Sequence, residues 1–417
     1  MMAGKGEGEG LMFHLECIVC GQRYEAEEIV YTCRRCGELL DVKYDYENLK
    51  ETISNIDFKE RPLSVWRYRE LLPVLDSSKI VSLQEGGTKL HRCLRLGEAL
   101  GLRNLYVKTE GDNPTGSFKD RGMTVGITKA LEYGLKAVIC ASTGNTSASL
   151  AAYAARAGIP CFVVIPAGKI AFGKLAQAVA YGAKIVQIRG NFDDALRIVM
   201  ELAWRKKIYL LNSVNPYRVE GQKTLAYEVV DQLGGVTPDF LVVPVGNAGN
   251  ISAIWKGFKE YRRLGFTDKL PKMMGVQAEG AAPIAEAIRL GLERIRPVEK
   301  PETVATAIRI GSPVNWRKAL NAVRESGGTV ETVSDREIVE AQRLIAKMEG
   351  LFVEPASAAS VAGLKKLVDN GIIDRDSLVV CVATGHGLKD PDTPVRFGGQ
   401  PVEVEATLEA VDRVLEV

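Results

Sequence analysis

The stretch GDNPTGSFKDR, Gly111–Arg121, is the most informative part of this 417-residue sequence. Pro114 and Gly116 predict a turn directly before Lys119, and a hydroxyl residue of the turn can cap the amphipathic helix that follows. Most lysines are solvated surface charges. A lysine held at the junction of a turn and a helix is also suited to covalent chemistry, provided that it faces loops for an anionic partner.

Around this stretch, short apolar runs alternate with longer amphipathic runs. Strands are predicted at Leu105–Val107, Ala137–Ala141, Cys161–Ile165, Lys184–Ile188, Ile208–Leu211, Phe240–Pro244, Lys272–Gln277 and Leu378–Ala383. Helices are predicted at Lys119–Tyr133, Thr146–Ala157, Phe172–Tyr181, Phe192–Trp204, Arg218–Leu233, Ile251–Leu264 and Asp335–Glu349. This alternation is typical of an α/β protein, in which helices cover both faces of parallel sheets.

The composition is that of an ordinary globular protein, with 46% hydrophobic and 25% charged residues. The 54 Lys and Arg residues nearly balance the 52 Asp and Glu residues, so no basic excess indicates a nucleic-acid partner. No apolar run reaches the ~18 residues that cross a bilayer. Residues 1–11 lack the apolar core of a signal peptide, and we expect a disordered tail there, a cytoplasmic location and no membrane partner.

Two cysteine pairs lie near the N-terminus, in the sequences CIVCG and CRRCG. They are Cys17 and Cys20, and Cys33 and Cys36. Both thiolates of such a pair can bind one ion from a tight turn, and the glycine that follows lets the backbone bend. Four sulfur ligands complete a tetrahedron, so we predict a structural zinc site in a zinc-ribbon-like unit, with iron as the alternative. The remaining cysteines lie among apolar neighbours and are expected to be buried.

Two polar loops follow predicted strands. The glycines of Gly246–Asn250 (GNAGN) allow several backbone N–H groups to converge at the start of a helix, which is a phosphate-binding arrangement. The loop Ser142–Ser147 (STGNTS) offers hydroxyl and amide groups that can bind a carboxylate. The alternatives are an ordinary turn for the first loop and a set of helix caps for the second.

Two further loops place polar side chains at strand ends. Thr384 follows the last predicted strand. Its hydroxyl can face a ring nitrogen of a bound cofactor, although a plain strand-to-loop turn is the alternative. The loop Asn212–Arg218 (NSVNPYR) combines Ser213, two amides and Arg218. Arg218 can hold a phosphate through two parallel N–H bonds, or it can be a surface ion-pair partner.

A lysine together with two anion-binding loops indicates a phosphorylated aldehyde cofactor. We predict that Lys119 forms a Schiff base with pyridoxal 5′-phosphate (PLP). Asn145 can then donate a hydrogen bond to the ring phenolate of the cofactor. A neutral hydroxyl at Thr384 would leave the pyridine nitrogen largely unprotonated, whereas a carboxylate there would favour its protonation.

With these motifs, the chain resembles the fold type II PLP-dependent enzymes, the class of the tryptophan synthase β-subunit, and among them the threonine synthases. The matching segments cover the chain from about residue 82 onward: Gly111–Arg121, Ser142–Ser147, Asn212–Arg218, Gly246–Asn250, Thr303–Trp316, Phe352–Ser360 and Thr384–Gly387. The resemblance implies two open parallel-sheet αβα domains with the cofactor cleft between them. We expect residues 46–111 and 213–417 in a large PLP-binding domain, 112–212 in a small domain and 12–45 in the zinc-ribbon-like unit.

The resemblance also implies roles for single residues. Lys119 matches the Schiff-base lysine, and Asn145 and Thr384 match the partners of the phenolic oxygen and the ring nitrogen. The cofactor's phosphate loop matches Gly246, Asn247, Ala248, Gly249 and Asn250. The substrate-binding loop matches Ser142, Thr143 and Thr146. The contacts to a substrate phosphate match Ser213 and Arg218.

The reaction implied by this resemblance converts O-phospho-L-homoserine and water to L-threonine and phosphate, and a homodimer is usual. Lys119 would transfer protons, while Arg218, Ser213 and Thr146 would offset the charge of the leaving phosphate. Cysteate synthase, which replaces the phosphate of phosphoserine with sulfite, is the main alternative. Threonine dehydratase and cysteine synthase are further alternatives, but neither enzyme needs a second phosphate site. A catalytically inactive zinc-ribbon scaffold is another alternative, but it would not need Lys119.

Two segments depart from the pattern of the resembled family, residues 85–90 and Gly311–Pro313 (GSP), the second of which often carries asparagine in the middle in relatives. Residues 85–90 read EGGTKL, where relatives usually read closer to EGNTPL. Glycine in place of asparagine and lysine in place of proline predict a looser turn near the cofactor.

Overall fold

The computed structural model describes residues 12–168, 172–397 and 401–415, so the predicted tail at residues 1–11 lies outside the described residues. The strands are β1 (Phe13–Cys17), β2 (Arg23–Tyr24), β3 (Leu40–Tyr44), β4 (Leu90–Arg92), β5 (Asn104–Thr109), β6 (Val138–Ala141), β7 (Cys161–Pro166), β8 (Lys184–Ile188), β9 (Tyr209–Leu210), β10 (Phe240–Pro244), β11 (Lys272–Ala278), β12 (Thr329–Val333) and β13 (Leu378–Ala383). The α-helices are α1 (Tyr46–Ile53), α2 (Leu94–Ala99), α3 (Lys119–Glu132), α4 (Asn145–Ala157), α5 (Phe172–Ala180), α6 (Phe192–Lys206), α7 (Pro216–Gln222), α8 (Thr224–Gln232), α9 (Gly249–Arg263), α10 (Pro283–Arg289), α11 (Trp316–Glu325), α12 (Asp335–Glu349), α13 (Pro355–Asp369), α14 (Asp392–Phe397) and α15 (Leu408–Asp412).

The N-terminal strands form a small antiparallel sheet in the order β2-β1-β3. Gly21 and Gly37, which follow the two cysteine pairs, adopt left-handed conformations with φ of +68° and +76°. Glycine reaches this region without steric cost, so the turns at both pairs form as the sequence predicts. Leu15 and Val42 of this sheet are buried in the same hydrophobic core as residues of α8 and α9.

Two larger sheets form the rest of the framework. The six-stranded sheet has the order β12-β11-β10-β13-β5-β4 and is parallel except for the edge strand β4. The four-stranded sheet, in the order β8-β7-β6-β9, is parallel throughout. Strand β10 is buried along its whole length, as expected when helices cover both faces of a parallel sheet. The predicted α/β class is confirmed, whereas the domain boundaries stay a prediction.

Most predicted elements begin and end within two residues of the observed ones, with one clear difference. The single helix predicted at Arg218–Leu233 is two helices, α7 and α8, divided at Lys223. It also begins earlier, because the Asn215 side chain accepts a hydrogen bond from Tyr217 N and Pro216 occupies the first turn. In the described part of the chain, no helix is long and apolar enough to cross a membrane.

Helices α3 and α7 approach each other closely because glycines replace side chains at their contact. A Cβ atom at Gly221 would overlap the carbonyl oxygen of Arg121. A Cβ atom at Gly122 would lie 2.7 Å from the carbonyl oxygen of Arg218, which is closer than real Cβ atoms come. The contact therefore places Arg218 directly against the helix that begins at Lys119.

A buried ionic network joins α3 to α8 and β5. The Arg121 guanidinium, which is 0% exposed, donates hydrogen bonds of 2.6–2.8 Å to the carboxylates of Glu110 and Glu228. Lys108 Nζ donates to the same Glu228 carboxylate at 2.8 Å. Burial alone would raise the pKa of Glu228, but the charges of Arg121 and Lys108 outweigh it and lower this pKa to about 2.

The turn at residues 85–90 is held firmly, so the expectation of a looser turn is wrong. Gly86 N donates to Asn113 Oδ1 at 2.9 Å, and Gly87 N donates to Glu228 Oε1 at 2.9 Å. Both glycines have positive φ, and a Cβ atom at Gly87 would overlap the carbonyl oxygen of Leu63. Glycine fits this close contact, and the two hydrogen bonds hold the turn in place.

We expect Glu228→Gln to remove part of the acid sensitivity of the fold. A carboxyl group whose folded pKa lies below its unfolded value of 4.5 stabilises the fold above pH 4.5, and this contribution is lost as the pH falls towards about 2. The free energy of unfolding should therefore fall less steeply between pH 4.5 and 3 in the variant. At pH 7 it should be lower by about 3–5 kcal/mol, because Arg121 and Lys108 lose a buried partner.

Urea unfolding followed by circular dichroism measures both effects. The control is Glu340→Gln, which removes the exposed partner of Arg336 and should change the free energy by about 0.5 kcal/mol or less. Equal pH slopes in Glu228→Gln and the unchanged protein would contradict the role assigned to this carboxylate.

Candidate active site

The turn before Lys119 is joined to the loop that follows β13. Phe118 N donates a hydrogen bond to Thr384 O at 3.0 Å, and His386 N donates to Gly116 O at 2.9 Å. These two bonds pair the segments in an antiparallel manner. The predicted covalent lysine and the predicted partner of a ring nitrogen, Thr384, are thus carried by adjacent stretches of backbone.

The environment of Lys119 makes its amine a nucleophile. Its Nζ lies 4.0 Å from the centroid of the Phe118 ring. Burial lowers the pKa of Lys119 most, the charge of Arg218 lowers it as well, and the charge of Glu354 opposes both, which leaves this pKa at about 7. The side chain is partly exposed, so a small molecule can reach it. Near neutral pH, a large fraction of the amine is unprotonated and able to attack an aldehyde.

Glu354 is a site residue that sequence reasoning missed. Its two carboxylate oxygens accept hydrogen bonds from Asn145 Nδ2 at 3.2 and 3.1 Å. Burial raises the pKa of Glu354, while the Asn145 amide and nearby lysine charges oppose the rise. A signal was present in the quoted segment Phe352–Ser360, where an acid directly precedes Pro355 at the start of a helix.

The Thr384 hydroxyl has a fixed position. Thr384 is 4% exposed, and its Oγ1 lies 3.1 Å from Ser357 Oγ. Ser357 Oγ also accepts from Gly385 N at 2.8 Å and donates to Gly385 O at 3.0 Å. The interpretation of Thr384 as part of a plain turn does not account for this buried pair of hydroxyls.

The glycine loop Gly246–Asn250 leaves β10 and leads into α9. Ala248 has a φ of +65°, and the carbonyl of Asn247 accepts a hydrogen bond from Asn315 N at 3.1 Å. Asn250 is 7% exposed, yet neither its Oδ1 nor its Nδ2 has a hydrogen-bond partner among the described residues. Buried polar groups are normally paired, and the first N–H groups of a helix have no partner within it. The loop therefore fits a phosphate group.

Asn212 brings the two predicted substrate loops together. Its Oδ1 accepts from Ala141 N and its Nδ2 donates to Ala141 O, both at 2.9 Å. These two hydrogen bonds hold Asn212 beside Ala141. They therefore bring Ser142, which follows Ala141, towards Ser213, which follows Asn212. The residues at the start of α4 are partly or fully exposed and lie around its N-terminus: Ser142, Thr143 and Thr146.

Arg218 is 3% exposed, so the interpretation as a surface ion-pair partner is wrong. Its Nη1 donates to Leu211 O at 3.0 Å, and its Nε has no hydrogen-bond partner within the described ranges. Burial lowers the pKa of Arg218 to about 10. A buried guanidinium with a donor to spare is costly unless it binds an anion, so its surroundings fit a phosphate or carboxylate.

Gln222 lies between α3 and the glycine loop, and sequence reasoning did not single it out. Its Nε2 would lie 3.0 Å from a Cβ atom at Gly122, and its Oε1 3.8 Å from one at Gly249. The Oε1 atom is buried without a hydrogen-bond partner in the part of the chain that the structure describes. Nothing in the sequence distinguishes this glutamine from other polar residues of a predicted helix.

The four cysteines of the N-terminal unit come together. Their Sγ atoms all lie within 4.8 Å of one another, and three of the distances are 3.4, 3.5 and 3.6 Å. A tetrahedron with metal–sulfur bonds of ~2.3 Å has sulfur–sulfur edges of about 3.8 Å. Cys17, Cys20, Cys33 and Cys36 therefore fit one metal ion with all four positions filled by protein. The other cysteines are buried, as predicted.

Comparisons with known proteins agree with this geometry. The family described as pyridoxal-phosphate dependent enzyme matches residues 81–385. The chain belongs to this family. The threonine synthases of Methanocaldococcus jannaschii and Methanosarcina acetivorans are each 60% identical to it over 400 residues, which make up 96% of this chain and 98% of each relative. Within the family, the chain groups with the threonine synthases.

Solved structures share the fold at much lower identity. Diaminopropionate ammonia lyase from Escherichia coli aligns with a TM-score of 0.64 and 17% identity, covering 76% of this chain and 91% of that one. Serine racemase from maize aligns with a TM-score of 0.62 and 22% identity, covering 72% and 88%. The predicted fold type II architecture is confirmed.

We expect the reactivity of Lys119 to titrate near pH 7 in the cofactor-free protein. Trace labelling with acetic anhydride modifies only unprotonated amines, so labelling of Lys119 should rise with pH around a midpoint near 7. Glu354→Gln removes a negative charge that favours the ammonium form and should move this midpoint lower. Peptide mass spectrometry measures the labelled fraction at each lysine.

A model lysine peptide in the same reaction is the internal control, and its labelling should need a clearly higher pH, as that of ordinary lysines does. The assignment fails if Lys119 and the model peptide are labelled in parallel at every pH.

Proposed function

We propose that this protein is a threonine synthase that converts O-phospho-L-homoserine and water to L-threonine and phosphate. The observation that carries the proposal is the buried, partly unpaired guanidinium of Arg218, which packs against the helix of Lys119. It supplies a second anion site in addition to the glycine loop. The two relatives at 60% identity that are threonine synthases support the same reaction.

The residues present fit pyridoxal phosphate. We propose that Gly246, Asn247, Ala248, Gly249 and Asn250 hold its phosphate, Asn145 its phenolic oxygen, Thr384 its ring nitrogen and Lys119 its aldehyde carbon. When bound, the cofactor accepts the electron pair that remains on carbon after a proton is removed. The unpaired amide of Asn250 and the nucleophilic amine of Lys119 support this fit.

The substrate occupies two anion sites in this proposal. Ser142, Thr143 and Thr146 bind its carboxylate at the N-terminus of α4, where the helix dipole favours negative charge. Ser213 and Arg218 bind its phosphate. Because a charge develops on the phosphate as its bond to Cγ breaks, Arg218 stabilises that step as well as the binding.

Lys119 performs the proton transfers. With a pKa near 7, its amine can take the proton from Cα and later return a proton, and it is also the proposed base for the proton at Cβ. The Glu354 carboxylate favours the protonated form of Lys119 between these transfers. Loss of phosphate from Cγ, delivery of a proton to Cγ, which becomes the methyl group, and addition of water at Cβ complete the reaction.

The N-terminal cysteines, the assembly and the location complete the proposal. Four thiolate ligands leave no open position, so the metal ion, which we propose to be zinc, is structural and not catalytic. The homodimer, the cytoplasmic location and the division into residues 46–111 with 213–417 and residues 112–212 are proposed on the resemblance to the family.

Lys119→Ala should lower turnover by about 10³-fold or more, because one side chain serves both the cofactor and the proton transfers. Phosphate release and threonine formation from O-phospho-L-homoserine measure the loss. Phosphoserine with sulfite, supplied to the unchanged protein in parallel, is the comparison. Near-normal turnover of the variant, or preferred formation of cysteate by the unchanged protein, would overturn the proposed function.

Arg218→Ala should raise KM for O-phospho-L-homoserine about 30-fold, which corresponds to ~2 kcal/mol of lost binding to a charged group. Steady-state kinetics measure this change, and Arg156→Ala, at an exposed arginine near the end of α4, is the control with an unchanged KM. If the unchanged protein uses homoserine as well as its phosphorylated form, Arg218 does not recognise the phosphate.

A further inference from the structure

Strand β9 lies at the edge of the four-stranded sheet, and its outer side is closed by a tyrosine. Tyr209 N and Leu211 N donate hydrogen bonds to the chain of β6 at 2.9 and 3.0 Å. Because successive N–H groups of a strand point to opposite sides, Leu210 N points away from the sheet. It donates instead to Tyr31 Oη at 2.9 Å. Tyr31 therefore satisfies a backbone group that an edge strand would leave unpaired.

Tyr31 belongs to the segment between the two cysteine pairs. Its ring lies 5.8 Å from the ring of Tyr209, measured between centroids. A second contact of the same segment runs through Tyr133, whose Oη donates to Ala26 O at 2.7 Å and lies 2.9 Å from Tyr217 Oη. The segment between the two cysteine pairs thus contacts β9 and, through Tyr133, α7. These two elements flank the loop next to the proposed phosphate ligands.

The hydrogen bonds continue from this contact to Arg218. The residue after Leu210 is Leu211, whose carbonyl oxygen accepts from Arg218 Nη1 at 3.0 Å. Asn215 Nδ2 donates to Leu210 O at 2.9 Å and so closes the loop between β9 and α7. The position of one backbone carbonyl, at Leu211, therefore orients the guanidinium, and Tyr31 fixes the residue beside it.

We propose that Tyr31 is a positioning residue for recognition of the substrate phosphate, acting through Leu210 and Leu211 on Arg218. This inference rests on the proposed function, since it assigns the Arg218 site to a phosphorylated substrate. It gives the N-terminal cysteine unit a part in substrate specificity, because the tyrosine that reaches β9 is held between two metal-binding turns.

The test is Tyr31→Phe, which removes only the hydroxyl. KM for O-phospho-L-homoserine should rise about fivefold, as expected for one neutral hydrogen bond, while kcat changes less than about twofold. Inhibition by inorganic phosphate should weaken by the same factor. The matched control is Tyr46→Phe, which removes a hydroxyl bonded to Glu260 at 2.9 Å, and it should leave both quantities unchanged.

A double-mutant cycle separates positioning from general destabilisation. In an Arg218→Ala background, Tyr31→Phe should have no further effect on KM, because the group through which Tyr31 acts is gone. An equal effect in both backgrounds, or an unchanged KM in a folded, cofactor-bound Tyr31→Phe variant, would overturn the inference while leaving the proposed function intact. If the unchanged protein does not prefer the phosphorylated substrate, the proposed function fails and this inference fails with it.

Discussion

Helices α3 and α7 can meet as they do only because each has a glycine at their closest approach, and the arrangement of the site depends on this constraint. Any Cβ atom at Gly221 would overlap the backbone of α3, and the helices would have to separate. If the helices separated, Arg218 would move away from Lys119 and a gap would open between α3 and α7. The pKa of Lys119 would rise, because the positive charge of Arg218 lowers it. The relative position of the nucleophile, Lys119, and the anion site at Arg218 thus depends on one close contact between the backbones of α3 and α7.

Much of the framework could be predicted, because strand and helix patterns are local properties of the sequence. Strand β10 is a continuous apolar run between turns, and its bounds agree with the prediction. The sheet to which a strand belongs is not local: β5 pairs with β13, which lies far along the chain. The three residues of β4 have no alternating pattern, and only the neighbouring strand makes them part of a sheet.

The site shows the same division between local and distant information. Lys119 and the loop Gly246–Asn250 carry their chemistry in adjacent residues, so their motifs were sufficient to single them out. Glu354 and Asn212 matter because of the atoms that they meet, which belong to Asn145 and Ala141. A glutamate before proline or an asparagine after a strand occurs in many settings, and only the folded chain reveals its partner.

The buried ionic network around Arg121 bears on whether separate regions of the chain can fold independently. Arg121 lies in the segment that builds the four-stranded sheet, but both of its carboxylate partners, Glu110 and Glu228, lie outside that segment. An excised fragment of residues 112–212 would have to keep a bare guanidinium in its interior or turn it out to water. The unpaired charge of Arg121 would therefore oppose folding of this fragment by itself, whereas contact with Glu110 and Glu228 removes that cost.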